Sequence, residues 1–279
     1  MAYKSILTIF TGSAPDMTVL DAAVSLARRE DAHLDVLCIG IDRSDPGFYF
    51  AGATAAVFEA TFEQARTDST ACETAVRTRL ASEDIRWATD KAAAQLGLVA
   101  SVAGMRARYA DLVLAGSPYA EAAPSAAEAA LEGALFDGRA PVLVVPGKGL
   151  DARFADRILA AWNEDAEAMT AIRAALSLLK AAHFVDVAVV DPSARSSERS
   201  DPGGALSQML ARHGVRAEVS VLARTQPRVA DVLLRHVRDT GAGLVVMGAY
   251  GHSRFREAII GGATRHMLEQ TEVPVLLAH

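Results

Sequence analysis

Cysteine and aromatic residues are scarce in this sequence. Among 279 residues only Cys38 and Cys72 are cysteines, and aromatic residues make up 6% of the chain. Two such cysteines build neither a disulfide framework nor a cysteine-rich metal site, so we expect the protein to work in a reducing compartment. Apolar residues nevertheless make up 51% of the chain. Much of that fraction is alanine, which favours closely packed helices over a core of large rings.

Excess positive charge and long apolar runs are also lacking. The net charge is −6 and the isoelectric point is about 5.7, which argues against nucleic acid and anionic membranes as partners. The longest weakly polar run, between Lys91 and Arg106, is too short to span a bilayer. The first residues, MAYKSILTIF, carry no secretory pattern. We therefore expect a soluble, cytoplasmic protein.

The short motifs of common catalytic sites are missing as well. There is no G-x-x-x-x-G-K-S/T loop, no G-x-S-x-G elbow, and no G-x-G-x-x-G after the first predicted strand. The seven histidines are scattered without H-E-x-x-H or H-x-H spacing, so no metal site is predicted. No nucleophile stands beside a clear general base. We therefore identify no catalytic residue and interpret His266 as a surface or packing histidine.

An internal repeat is the main feature that the sequence does contain. ADLVLAGS at Ala110–Ser117 resembles AGLVVMGA at Ala242–Ala249, and APVLVVPG at Ala140–Gly147 resembles VPVLLAH at Val273–His279. The beginnings of the copies, KSILTIF and DRILAAW, also match but lie farther apart. The first copy therefore carries extra length in its middle, in the alanine-rich stretch before Ser82.

Within each copy, short apolar runs alternate with longer amphipathic ones. Strands are predicted near 4–10, 33–41, 85–89, 110–116 and 141–146, and then at 157–162, 184–190, 215–222, 243–248 and 274–278. Helices of the second copy are predicted at about 165–181, 203–213, 227–238 and 262–270. This alternation predicts an α/β protein of two tandem domains, residues 1–147 and 154–279, each a five-stranded parallel sheet with helices on both faces.

A glycine-rich segment, GAYGHSRFREAIIGGATRH, follows the fourth strand of the second copy at Gly248–His266. Its glycines, Gly248, Gly251, Gly261 and Gly262, leave backbone N–H groups open at the carboxyl end of a strand. The next helix begins at Gly262, and a helix N-terminus favours phosphate. We predict a phosphate site here; the alternative is that the glycines only turn the chain.

The spacing Gly248-x-x-Gly251, nine residues, then Gly261 resembles the nucleotide motif of the universal stress protein family, G-x2-G-x9-G-S/T. Because both copies are covered, the chain looks like a tandem universal stress protein. The resemblance implies a Rossmann-like fold that binds an adenine nucleotide, with ATP as the cofactor and Mg²⁺ able to arrive with it. It also implies a homodimer, since family members are commonly dimeric.

The resemblance implies a set of nucleotide-binding residues, with one departure. Gly262 stands where the family has Ser or Thr, and Thr264 lies two residues further along. The implied set comprises Gly248, Gly251, His252, Gly261, Gly262, Ala263 and Thr264 in this segment, Trp162 and Asn163 after the first strand, and Val190 at the end of the second strand. Asn163 replaces the Asp that the family often has there. For Trp162, packing is the alternative interpretation.

The first copy has lost the motif. Gly116 remains at the strand end, but Gly251 corresponds to Pro118 or Tyr119, and Gly261 corresponds to Glu128. A proline removes a donor, and a glutamate places negative charge where phosphate would bind. We therefore predict no ATP in the first copy.

Three functions remain open at this point. The first is a nucleotide-binding stress-response or signalling module with ATP in the second domain. The second is an enzyme, at most a slow ATP hydrolase. The third is a structural tandem dimer without nucleotide.

Overall fold

The computed structural model describes residues 3–44, 55–121, 123–192, 200–249 and 262–279. The chain divides into two compact units, Ala2–Val142 and Leu143–His279. Each unit is an α/β structure built on parallel strands, as the alternation of apolar runs predicts.

The first unit alternates strands with helices. Its strands are β1 Ser5–Thr11, β2 His33–Asp42, β3 Arg86–Gln95 and β4 Leu112–Gly116, with β5 Val142–Val145 at the unit boundary. Its helices are α1 Met17–Glu30, α2 Ala55–Leu80, α3 Val99–Ala107 and α4 Ala127–Glu132. A 3-10 turn at Leu96–Leu98 and a π-helical turn at Gly133–Asp137 extend α3 and α4.

The strand order of the first unit is β3-β2-β1-β4. The pairs β1–β2, β1–β4 and β2–β3 are all parallel. Beside β4, the Val113 N–H donates to the Pro141 carbonyl at 2.9 Å as the chain enters β5. Nearly all residues of the central strand β2 are buried. Such strands are continuous apolar runs because helices cover both faces of the sheet.

The second unit repeats this arrangement. Its strands are β6 Arg157–Ala161, β7 Phe184–Val190, β8 Ala217–Leu222, β9 Leu244–Gly248 and β10 Val275–Ala278, in the order β10-β9-β6-β7-β8 with parallel pairs. Its helices are α5 Ala166–Ala174, α6 Leu176–Ala181, α7 Gly204–Arg212, α8 Val229–Thr240 and α9 Gly262–Gln270. Between α8 and the sheet, His236 contacts the buried carboxylate of Asp186 on β7 at 2.6 Å.

Three elements differ from the sequence-based prediction. Strand β3 continues to Gln95, well past the predicted end at 89. The helix predicted over 165–181 is broken at Ala175, where φ is −84° and ψ is 0°; neither proline nor glycine marks the break. Helix α2 has 26 residues and its counterpart α7 has nine, so the extra length of the first copy forms helix.

Both cysteines lie in the core of the first unit. Cys38 on β2 and Cys72 on α2 are fully buried, and both are free thiols that form no disulfide. A hydrogen bond with the Cys72 thiol, together with burial, raises the pKa of Cys38. A thiol held in its neutral form is a poor nucleophile, so Cys38 is a packing residue. Within the described residues, every helix is too short or too polar to cross a bilayer.

Candidate functional site

A cavity of about 540 Å³ opens in the second unit. Its walls come from the ends of β6, β7 and β9, and from the first turns of α5, α8 and α9. The carboxyl ends of parallel strands are where open α/β sheets bind ligands, because there the loops and helix N-termini converge. The cavity therefore lies at the edge of the sheet that favours binding.

The floor of the cavity is apolar, and some of the side chains at the strand ends that form it are small. Ala188, Leu233 and Met247 line it, and each is largely buried. Val190, at the end of β7, also lines the cavity and is partly exposed. Small side chains on the strands leave room above the sheet, so a flat apolar group can lie against this floor.

A tight turn between β6 and α5 fixes the polar side of the cavity. The Asn163 amide donates to the Asp165 carboxylate at 2.6 Å and accepts from the Asp165 N–H at 3.2 Å. Between them Glu164 has a φ of 66°. The predicted residue Asn163 thus lines the cavity with its orientation held by Asp165, which lines the cavity too, as does Glu167.

Trp162 lines the cavity, but its indole belongs to the core. Trp162 directly follows β6, and continued alternation along the strand directs its side chain to the opposite face of the sheet from Ala161. Pairing of Ile6 with Leu112, and of Ile158 with Leu244, makes Phe10 its counterpart in the first unit. Both aromatic residues are buried, at 7% and 5% exposure. The shared aromatic at this position supports the packing interpretation.

The N-terminus of α9 forms the opposite wall. Gly262 and Ala263 are exposed, Thr264 is buried, and all three line the cavity. Helix α9 has nine residues, and its first N–H groups lack intrahelical acceptors. Together with the positive end of the helix dipole, they favour an anion. This wall is where the sequence predicts phosphate.

Gly248 has a packing reason of its own. A Cβ at this position would lie 2.6 Å from the Ala168 nitrogen and 2.7 Å from the Glu167 carbonyl carbon. The counterpart Gly116 is also close to a helix start, with a Cβ 3.3 Å from atoms of Asp16 and Val19. Helix α5 therefore packs on the end of β9 only because Gly248 has no side chain.

A polar cluster joins α8 to α9 beside the cavity. His266 Nε2 lies 2.6 Å from Asp231 Oδ1, and Arg228 Nη1 lies 3.0 Å from His266 Nδ1. A carboxylate only accepts and a guanidinium only donates, so the two contacts fit the tautomer that carries a proton on Nε2 and a lone pair on Nδ1. Sequence reasoning missed Arg228 and Asp231, because no local motif connects residues on two separate helices.

The middle of the predicted glycine motif lies outside the described residues. Gly251, His252 and Gly261 belong to the undescribed range 250–261. The described members of the predicted set all line this same cavity: Trp162, Asn163, Val190, Gly248, Gly262, Ala263 and Thr264.

In the first unit, the residues that replace the glycines contact each other. The Tyr119 hydroxyl donates to Glu128 Oε1 at 2.8 Å. Burial and the nearby Glu128 charge raise the pKa of Glu132 one turn further along α4. The corresponding region is therefore acidic and held by its own side-chain contact.

Comparison with known proteins finds one family and one fold. Residues 155–279 match the model of the universal stress protein family. A segment of 73 residues is 34% identical to "Universal stress protein Slr1230" from Synechocystis sp. and covers 26% of this chain and 24% of that protein. This chain thus aligns with about a quarter of that relative's length.

Two solved structures share the fold over nearly the whole chain. A universal stress protein from Archaeoglobus fulgidus has a TM-score of 0.70 at 14% identity, with 98% of this chain and 97% of that chain covered. A putative universal stress protein from Pseudomonas aeruginosa has a TM-score of 0.58 at 20% identity, with coverages of 99% and 93%. At such identities the likeness concerns the fold.

Proposed function

We propose that the second unit binds an adenine nucleotide, with ATP as the ligand, and that the chain is a cytoplasmic stress-response or signalling module. The observation that carries this proposal is the cavity itself, which joins the carboxyl ends of three parallel strands to the N-terminus of α9. The match of residues 155–279 to the universal stress protein family supports it independently.

Each wall of the cavity suits one part of a nucleotide. The apolar floor fits the base, which can stack over Val190 and Met247. The amide of Asn163 can hydrogen-bond the ribose or the base. The N–H groups of α9 and the Thr264 hydroxyl suit the phosphates, so Thr264 would replace the hydroxyl that Gly262 lacks.

Two carboxylates in the cavity concern whether Mg²⁺ accompanies the ATP. Asp165 and Glu167 line the cavity and would repel bare phosphate. Oxygen ligands of this kind suit Mg²⁺, which binds through few carboxylates together with substrate phosphates. These residues therefore fit a Mg²⁺–ATP complex better than the free anion.

Ala263 offers a direct test. An Asp at this position of α9 suits a helix start, so Ala263→Asp should fold normally while its charge repels phosphate. Ala263→Asn has the same shape without the charge. We expect isothermal titration with Mg²⁺–ATP to show at least a tenfold weaker affinity for the Asp variant than for the Asn variant. Equal affinities for the two variants would contradict a phosphate position at this wall.

Two alternatives are separated by further measurements. A slow ATP hydrolase would release phosphate in a steady-state assay with Mg²⁺, at a rate that falls in Ala263→Asp. A structural tandem dimer would bind no nucleotide in the titration. We also propose a homodimer, which is tested by measuring whether the particle in solution has the mass of one chain or of two.

A further inference from the structure

The cavity lacks a positive side chain within the described residues. Its lining there includes the carboxylates of Asp165 and Glu167 but no Lys, Arg or His. Backbone N–H groups of α9 carry only about half an elementary charge, whereas a nucleotide triphosphate carries several negative charges. A cation from just outside the lining would complete the site.

Arg228 is placed to provide that charge. It immediately precedes Val229, which lines the cavity, and its own side chain is exposed. Its guanidinium contacts His266, which lies one helical turn beyond Gly262 on the wall assigned to phosphate. Within the part of the chain that the structure describes, Arg228 forms no direct ion pair with a carboxylate, and the nearest carboxylate of its cluster, Asp231, is bonded to the other side of the His266 ring.

His266 holds the guanidinium in place. The Nε2–H group donates a hydrogen bond to Asp231, which leaves the Nδ1 lone pair directed at Arg228. Among the described residues, Glu269 also lies near the ring: its Oε2 is 3.9 Å from Nδ1, and its Oε1 is 2.7 Å from Arg265. A ring oriented by a carboxylate keeps a flexible arginine near one position, which reduces the entropy lost on binding.

We propose that Arg228 binds the phosphates of the nucleotide, and that His266 and Asp231 are positioning residues that hold Arg228 beside α9. This inference rests on the proposed function, since it concerns the same cavity. Arg228 would make the site select for the charged phosphates: it strengthens the binding of ATP and leaves the binding of adenosine unchanged.

The arginine is tested by removing its charge. Arg228→Gln should weaken binding of Mg²⁺–ATP by about 10- to 100-fold, because a charge-assisted hydrogen bond is lost, and should leave the affinity for adenosine within about twofold. The matched control is Arg235→Gln, on the same helix, where the arginine is exposed and pairs with Asp239. The control should bind ATP like the wild type.

The positioning role is tested at His266. Glutamine can donate to Asp231 and accept from Arg228, whereas phenylalanine can do neither. His266→Gln should therefore retain ATP affinity, and His266→Phe should lose part of what Arg228→Gln loses. The double variant His266→Phe, Arg228→Gln should bind no worse than Arg228→Gln, because one interaction is removed only once.

The outcomes separate the two proposals. If Arg228→Gln binds ATP as tightly as the wild type, the role of Arg228 is wrong and the nucleotide site stands. Equal losses for ATP and adenosine would also overturn it, because they indicate a change of shape. If the wild type binds neither ATP nor adenosine, the proposed function fails and the inference fails with it.

Discussion

Among single residues, Gly116 and Gly248 separate the needs of the fold from those of a ligand. The repeat supplies the comparison: these glycines occupy equivalent strand ends, and both face the start of a helix. The first copy has lost the other motif glycines but has retained this one. Gly248 is therefore explained by packing whether or not a nucleotide is bound, and the case for phosphate depends on Gly262, Ala263 and Thr264.

A methyl group at Gly248 tests the packing role. Gly248→Ala should lower the free energy of unfolding by about 1–3 kcal/mol, because the added carbon meets backbone atoms of α5 that cannot rotate away. Gly147→Ala is the matched control, since a Cβ there meets nothing within 4 Å. Urea unfolding followed by circular dichroism gives both values. A neutral Gly248→Ala would mean that α5 shifts freely.

Some residues that line the cavity were predicted from the sequence, and the polar residues beside it were not. Asn163, Val190 and Thr264 were predicted from the family resemblance, and all three line the cavity at the carboxyl ends of the strands. Arg228 and Asp231 also begin a helix, α8, but no motif distinguishes them from other residues at helix starts. Their role depends on how α8 and α9 pack, and no local pattern in the sequence encodes that distance.

Among the secondary-structure elements, strands were easier to predict than their ends. Most strands begin and end within two residues of the prediction, because buried parallel strands are continuous apolar runs. Strand β3 was cut short since its second half, from Lys91 to Gln95, is mostly alanine. Such a short run is equally compatible with a helix. Its strand conformation is determined by the pairing of β3 with β2.

Glu83, in the turn between α2 and β3, forms ion pairs with both α1 and α2. Its carboxylate contacts Arg79 of α2 and lies 2.5 Å from Arg28 of α1. Hydrogen bonds from Arg79 and then Arg28 hold the pKa of this carboxyl below its usual range, against the opposing effect of burial. A lowered folded-state pKa means stability that is present above the unfolded-state pKa and is lost as the pH falls through the folded-state pKa.

Replacing this carboxylate gives a pH-dependent prediction. Glu83→Gln should cost about 0.5–1 kcal/mol of unfolding free energy at neutral pH, the range of exposed ion pairs. Below the folded-state pKa both proteins carry a neutral group, so the difference should shrink as the pH falls below the usual range of a Glu carboxyl and should vanish below the lowered folded-state pKa. Urea unfolding at several pH values measures it. A cost that is independent of pH would show that packing, and not charge, makes the contact.

For the whole molecule, the two units share a fold and differ at the edge where a ligand would bind. The second unit has a cavity bounded by α9, whereas the first has Tyr119 bonded to Glu128 in the corresponding region. A repeat in which one copy keeps the site allows the other copy to change without loss of binding. We therefore expect one nucleotide per chain, not two.

Hydrogen exchange with and without Mg²⁺–ATP tests this expectation. A ligand at 100 times its dissociation constant stabilises the state that binds it by about 2.7 kcal/mol, so exchange should slow around it. Protection should appear in β6, the start of α5 and α9, and it should be absent from residues 117–132. Ala263→Asp is the control that should remove the protection. A titration that saturates at two nucleotides per chain, or protection of 117–132, would mean that the first unit also binds.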